Sequence, residues 1–305
     1  MDVSDAVNAL FNGVVPERVE TMRLEAAEVD RFRLLDAPRF LLQASYGVIQ
    51  VSEKALRLIW LTGYTAWAGV EAYNVRIVWE RLNGAAFDPV AWNDYAQQKA
   101  YDEIFDRLLA NVRDLDAATS LVDFEWPNNV PVPAEGLRLH DISQKATFDL
   151  ICIAGAFVFA HEVRHALLDR DGARPDRLVD EERECDRWAL ALLLDEISAY
   201  AGNAKEDPTL VRAKRILGII FAQLAILTLT PRGLWEETED YPAVKTRLRA
   251  ALDAAADPVP DWFWITIASL LTAFARGLDA LPPPGPFPPT DRELAYALCD
   301  ALRST

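Results

Sequence analysis

Apolar residues recur at helical spacing along most of this chain, and that spacing predicts a mainly α-helical protein. Residues 16–43 carry the pattern first, with Pro16 suited to an opening turn. Residues 51–82 form a long aromatic-rich stretch containing Trp60, Trp67 and Trp79, and Asp88-Pro89 opens a further helix running to about Asp114. Residues 143–169, SQKATFDLICIAGAFVFAHEVRHALLD, are apolar almost all round through their first turns, as a helix running through a core must be. The segment DRDGARPD breaks that helix. Helices follow over 178–200 and 208–229, the second ended by Pro231 and Gly233, and then over 242–256, 261–279 and 291–302.

Two stretches break the pattern. Residues 119–139, TSLVDFEWPNNVPVPAEGLRL, mix β-branched side chains with three prolines. Proline cannot donate a ladder hydrogen bond, so this segment is an edge strand, a short hairpin or an extended loop. It is the small β element expected in the fold. Residues 281–290, LPPPGPFPPT, must be extended and are expected to strap across the surface. The change of texture divides the chain into a helical region over 1–114 and a catalytic region over 115–305. Whether the two form one body stays open.

Composition narrows the function. The 305 residues carry a formal net charge of −16, which repels nucleic-acid phosphates and argues against DNA or RNA as a partner. The three cysteines, Cys152, Cys185 and Cys299, form no CxxC pair and suit a reducing compartment. Acidic residues near the N-terminus replace the basic ones of a secretory signal. The apolar runs at 148–160, 216–230 and 262–275 are each shorter than the ~18–20 residues of a bilayer span. These features predict a cytoplasmic protein with buried core helices, and leave peripheral membrane contact open.

The candidate chemistry lies in His161-Glu162-Val163-Arg164-His165, an HExxH motif. Residues four apart share one face of a helix, so both imidazoles can reach one ion, with Glu162 beside the open coordination position. A catalytic zinc takes three protein ligands and keeps a fourth place for water. Glu182, seventeen residues after His165, is the candidate third ligand. Asp186, one turn later, is placed to receive the free N–H of a ligand histidine and fix its tautomer. The alternative for Glu182 is a solvated acidic face shared with its neighbours Glu181 and Glu184, either of which would then be the candidate ligand. Cys185 reads as a packing residue, and His140, the one other histidine, as a surface residue preceding the helix.

HEVRH followed by ERECDRWA resembles the gluzincin arrangement of HExxH plus Glu-x-x-x-Asp, and is especially similar to the pattern of the CAAX prenyl protease and HtpX group. Cys185 stands where that group carries Ala. The group's downstream Thr/Ser-His-Pro-x-x-x-x-Arg element resembles Asp240-Tyr241-Pro242 through Arg247 here, with Tyr241 in place of His. The resemblance implies a zincin-like catalytic core and a substrate-pairing edge strand just before the active-site helix, which here would fall at residues 121–133. Tyr241 could then serve as an oxyanion donor. Arg247 is better suited to pairing with an acid. In length, mid-chain HExxH and lack of an export signal the chain is also similar to the Lit phage-exclusion peptidases, a resemblance that implies an intracellular protein substrate, elongation factor Tu. Together these features predict a zinc endopeptidase in which Glu162 is the general base. The rival is a non-catalytic zinc-binding regulatory or interaction protein, against which an intact Glu162 argues, since a structural metal needs no base.

Overall fold

Ser52 closes a strand and opens the longest helix of the fold. Its hydroxyl caps that helix by accepting from the Ala55 N–H at 3.1 Å, accepts a second bond from the Leu41 N–H and donates to the Arg39 carbonyl. The computed structural model describes residues 3–25, 32–45, 47–134, 136–255 and 258–303. Helices α1 (Val3–Val14) and α2 (Val19–Glu25) come first, joined through a 3₁₀ turn. Strands β1 (Phe32–Leu35), β2 (Leu42–Ser45) and β3 (Val48–Ser52) follow, then α3 (Glu53–Leu82). β3 is central, parallel to β1 and antiparallel to β2, with Leu42 opposite Val51 and Ala44 opposite Ile49.

The helix expected over 16–43 is therefore corrected. It is described only to Glu25, residues 32–35 and 42–45 are strands joined through a bend at Pro38 and Arg39, and residues 26–31 lie outside the described part of the chain. Pro38 disfavours helical backbone at the residue before it. The apolar positions that fit a helical period also serve a sheet once β3 is there to pair with. Ile49 and Val51 are fully buried, and the Phe32 ring meets Phe159 edge-on at 5.9 Å.

The β element expected over 119–139 is corrected too. Among the described residues there, none forms a strand. The prolines deny this connector a ladder, and it is pinned from its neighbours instead: Trp60 Nε1–H donates to the Pro131 carbonyl at 2.9 Å, and Trp126 Nε1–H to that of Val130. The sheet beside the helix that carries HExxH thus comes from the first 52 residues. Lys54 holds it there. Its buried ammonium donates to the carbonyls of Pro38 (2.8 Å), Ala118 (2.9 Å) and Asp116.

The helix expected from Asp88-Pro89 is corrected to a 3₁₀ turn (Ala91–Asp94) followed by α4 (Ala96–Ala117). The remaining helices stand close to where the periodicity places them: α5 (Ile142–Arg170), α6 (Leu178–Leu194), α7 (Ile197–Ala204), α8 (Pro208–Leu229), α9 (Val244–Asp253), α10 (Asp261–Gly277) and α11 (Asp291–Ala301). The helix expected over 178–200 is split at 195–196 into α6 and α7. The proline-rich strap is extended as expected. Its two-residue strand β5 (Gly285–Pro286) pairs with β4 (Ala86–Phe87), and Phe287 packs against Phe87 and Trp92. One cluster of buried apolar side chains runs from Val7 to Leu302.

α5 carries the HExxH motif and lies between α3 and α8, which approach it through glycine. A Cβ on Gly63 would fall 2.2 Å from Ile151 Cγ1, and one on Gly218 would fall 2.5 Å from Ile153 Cβ. α5 is long and apolar enough to cross a membrane, a longer apolar helix than the run at 148–160 implies, and 67% of its most apolar window is buried within the protein. Asp141 caps its start, and Gly172, with φ near +60°, turns the chain back toward α6 just past its end.

Candidate metal centre

The HExxH spacing does on α5 what the helical repeat dictates. His161 and His165 stack one turn apart, and their Nε2 atoms are 3.1 Å from each other. α6 presents Glu181, Glu182, Cys185 and Asp186 on the face packed toward α5, all four buried. Glu182 reaches both imidazoles: Oε2 is 3.4 Å from His161 Nε2, and Oε1 is 3.3 Å from His165 Nε2. Bonds of ~2.0–2.1 Å to a tetrahedral zinc require neighbouring donors to stand about 3.3 Å apart. The donor spacing of 3.1–3.4 Å therefore fits such an ion, and His161, His165 and Glu182 form a group able to hold a metal.

The outer nitrogens of both imidazoles are committed. Asp186 Oδ1 lies 3.0 Å from His161 Nδ1, and Glu181 Oε1 lies 2.7 Å from His165 Nδ1. In its neutral form, an imidazole that donates through Nδ1 turns its Nε2 lone pair inward, so each ring would face a metal at the shared point as an acceptor. The Asp186 partnership follows the expected one. The Glu181 partnership is not among the sequence expectations, which make Glu181 only a substitute ligand; it is buried against His165. Counting partners would have found it, because two imidazoles turned toward one point need two acceptors at their outer nitrogens and Asp186 serves only one.

Arg247, on α9, joins the cluster from the far side. Its guanidinium donates to Asp186 Oδ1 at 2.6 Å and stands 3.7 Å from Glu182 Oε2. Burial works against the charge on Asp186, but Arg247 and His161 hold its carboxyl below the usual range. Glu182 is held low in the same way: burial opposes its charge, and the two imidazoles outweigh burial. Burial also opposes a charge on His161, yet Asp186 and Glu182 push its pKa up to about 9. Glu182 and Asp186 pair with the Arg247 guanidinium, Glu181 with His165 and Arg174, and Glu162 lies near enough to Arg247 to act on it, so four carboxylates gather around the two imidazoles.

Glu162 faces the sheet. Its Oε2 accepts from the Ala44 N–H of edge strand β2 at 2.6 Å. Burial raises its pKa, against the pull of both imidazoles and this N–H. Tyr241 sits on an exposed turn, where its N–H donates to Thr238 Oγ1 and its carbonyl accepts from the Thr238 N–H. Its side chain is 56% exposed; partial burial raises its phenol pKa, and the nearby charges of Glu182 and Glu162 raise it further. Cys185 is fully buried, and burial pushes its thiol up, as a packing residue's should be. His140 is exposed before the first turn of α5, roughly 30 Å along the helix from His161.

Two histidines four apart on one helix, and a glutamate brought from the next, form a buried group able to hold a metal ion in a mainly helical protein. The chain belongs to the Peptidase U49 family, whose model matches residues 49–265. It is similar to the cell death peptidase of Escherichia coli (strain K12), with 25% identity over 200 residues, 66% of this chain. The match spans 60% of that relative's length. No solved structure matches.

Proposed function

We propose that this protein is a zinc-dependent endopeptidase acting on an intracellular protein. The observation that carries the reading is the convergence of His161 Nε2, His165 Nε2 and Glu182 at 3.1–3.4 Å with Glu162 alongside. Two imidazoles and one carboxylate, with no thiolate, are the donor set of a catalytic rather than a structural zinc. When bound, zinc would polarise the scissile carbonyl and supply a water acidic enough to ionise near neutral pH.

The rest of the chemistry belongs to side chains. Glu162 takes the proton of the attacking water and passes it to the leaving amine. The Ala44 N–H fixes one of its oxygens and leaves the other free for this exchange. β2 is an edge strand, so a substrate backbone can add along it and lie across Glu162. This reading moves the substrate-pairing role from residues 121–133 to 42–45. Tyr241, exposed at the rim, donates to the oxyanion. The peptidase family supports a protein substrate. Elongation factor Tu, in the cytoplasm, is the first candidate, by the resemblance to the Lit phage-exclusion peptidases.

The test is metal content and cleavage measured together. Wild type should hold about one zinc per chain, and His165→Ala and Glu182→Ala should hold none. Glu162→Gln should keep the zinc and lose hydrolysis. A wild type that neither contains zinc nor takes it up would overturn the proposal.

A further inference from the structure

The α5–α6 interface contains a carboxylate for which the peptide chemistry above has no use. Glu181 is buried, and its Oε1 lies 2.7 Å from His165 Nδ1. The residue after it on α6, Glu182, reaches the opposite nitrogen of the same ring. His165 is thus gripped at both nitrogens by consecutive residues of one helix. Arg174, on the turn between the two helices, stands 3.8 Å from the same Glu181 oxygen and 3.3 Å from Asp169 at the end of α5.

We infer that Glu181 is the positioning residue for His165, setting the tautomer and ring plane in which His165 meets the metal. The inference rests on the zinc reading above and deepens it. The geometry has a direct consequence. An imidazole without a partner at Nδ1 can rotate about its side-chain bonds and can carry its proton on either nitrogen, and only one of those arrangements turns a lone pair toward His161 and Glu182. His161 has Asp186 for this purpose, one turn after the ligand glutamate. His165 lies one turn further along α5, and because α6 packs alongside, the residue that meets its outer nitrogen comes earlier on α6. The ligand glutamate is therefore bracketed by two orienting carboxylates, at one residue before and four residues after.

The inference separates Glu181 from Glu184, an acid on the same helix three residues on. Glu184 pairs with Arg164 at 2.7 Å and with Arg187 at 2.5 Å, and touches neither imidazole. If the acids of α6 acted only by accumulated negative charge, removing either would weaken metal binding alike.

The experiment is zinc affinity by chelator competition on the full chain, for wild type, Glu181→Ala, Glu181→Gln and Glu184→Ala, with helix content checked on each zinc-free protein. Loss of a group that orients a ligand histidine weakens metal binding by roughly 10–100-fold. Glu181→Ala should show that loss. Glu181→Gln keeps an acceptor oxygen and should recover most of the affinity, and Glu184→Ala should bind as wild type does. The cobalt(II)-substituted proteins supply a second readout, with the visible ligand-field spectrum altered in Glu181→Ala and not in Glu184→Ala. Wild-type affinity in Glu181→Ala, or an equal loss in Glu184→Ala, overturns the inference while leaving the zinc site standing. Should Glu181→Ala fail to fold, Glu181→Gln decides: an affinity as low as that of zinc-ligand variants rejects an orienting bond. A wild type that takes up no zinc removes the underlying reading and this role together.

Discussion

The backbone N–H of Ala44 donates to Glu162 Oε2 at 2.6 Å, joining an edge strand to a helix residue 118 positions later in the chain. The bond comes from the main chain, so no side-chain replacement at Ala44 removes it except proline. Ala44→Pro should keep zinc and fold, since an edge strand tolerates proline on its unpaired side. Turnover should fall by roughly tenfold or more, as expected when a general base is poorly placed. Ala44→Gly, which keeps the N–H, should retain most activity. Equal turnover in both variants would show that the base needs no such support.

Arg247 is a buried cation between two buried carboxylates. Removing one partner from such a cluster strands the others, at a cost of about 3–5 kcal/mol. Arg247→Met should therefore lower zinc-free stability in urea by that amount. Zinc should restore part of the loss by neutralising Glu182. Lysine has no planar fork with which to reach Asp186 and Glu182 together, so Arg247→Lys should rescue little. A variant as stable as wild type would mean that Asp186 finds another partner.

Proton release should accompany metal binding. In the zinc-free protein His161 has a pKa of about 9, above its ordinary 6.5, so it is protonated at pH 7. Zinc needs the Nε2 lone pair, and the extra proton must leave. At pH 7 binding should expel roughly one proton or more, because imidazole binds metal only when neutral. Affinity should fall as pH drops below about 9 and level off above it. Calorimetry in buffers of different ionisation enthalpy measures the number released, and a binding enthalpy independent of buffer would contradict the prediction.

The glycine approaches to α5 predict a packing effect. Gly63→Ala places a methyl on Ile151 Cγ1 and should destabilise by about 1–3 kcal/mol. Ile151→Ala removes the two side-chain atoms within 3 Å of that methyl. The double variant should then be more stable than the sum of the single losses implies. Strict additivity would mean that α3 simply moves away.

The helices and the grouping of His161, His165 and Glu182 were legible in the sequence for one reason. A helical repeat turns spacing into position, so His161, Glu162 and His165 fall together without knowledge of the rest of the fold, and Glu182 and Asp186 need only an adjacent antiparallel helix. The sheet was not legible. Phe32, Leu34, Leu35, Leu41 and Leu42 satisfy a helical period and a paired strand equally well, and the choice depends on β3. The reverse error came at 119–139, where β-branched residues suggested a strand that three prolines prevent. Glu181 was hidden by rotation about the α6 axis, which sets whether neighbouring acids face solvent or the next helix.

Lys54 ties together parts of the chain that the sequence keeps far apart. One ammonium joins the turn that leads into β2, through Pro38, to the end of α4, through Asp116 and Ala118. The strand touching Glu162 and the connector running to α5 are therefore mechanically coupled through a single side chain. A protease nick beside Val122, exposed on that connector, would loosen the anchorage of Ala44 without cutting any residue of the metal site. Susceptibility to limited digestion and catalytic competence should therefore move in opposite directions in this protein.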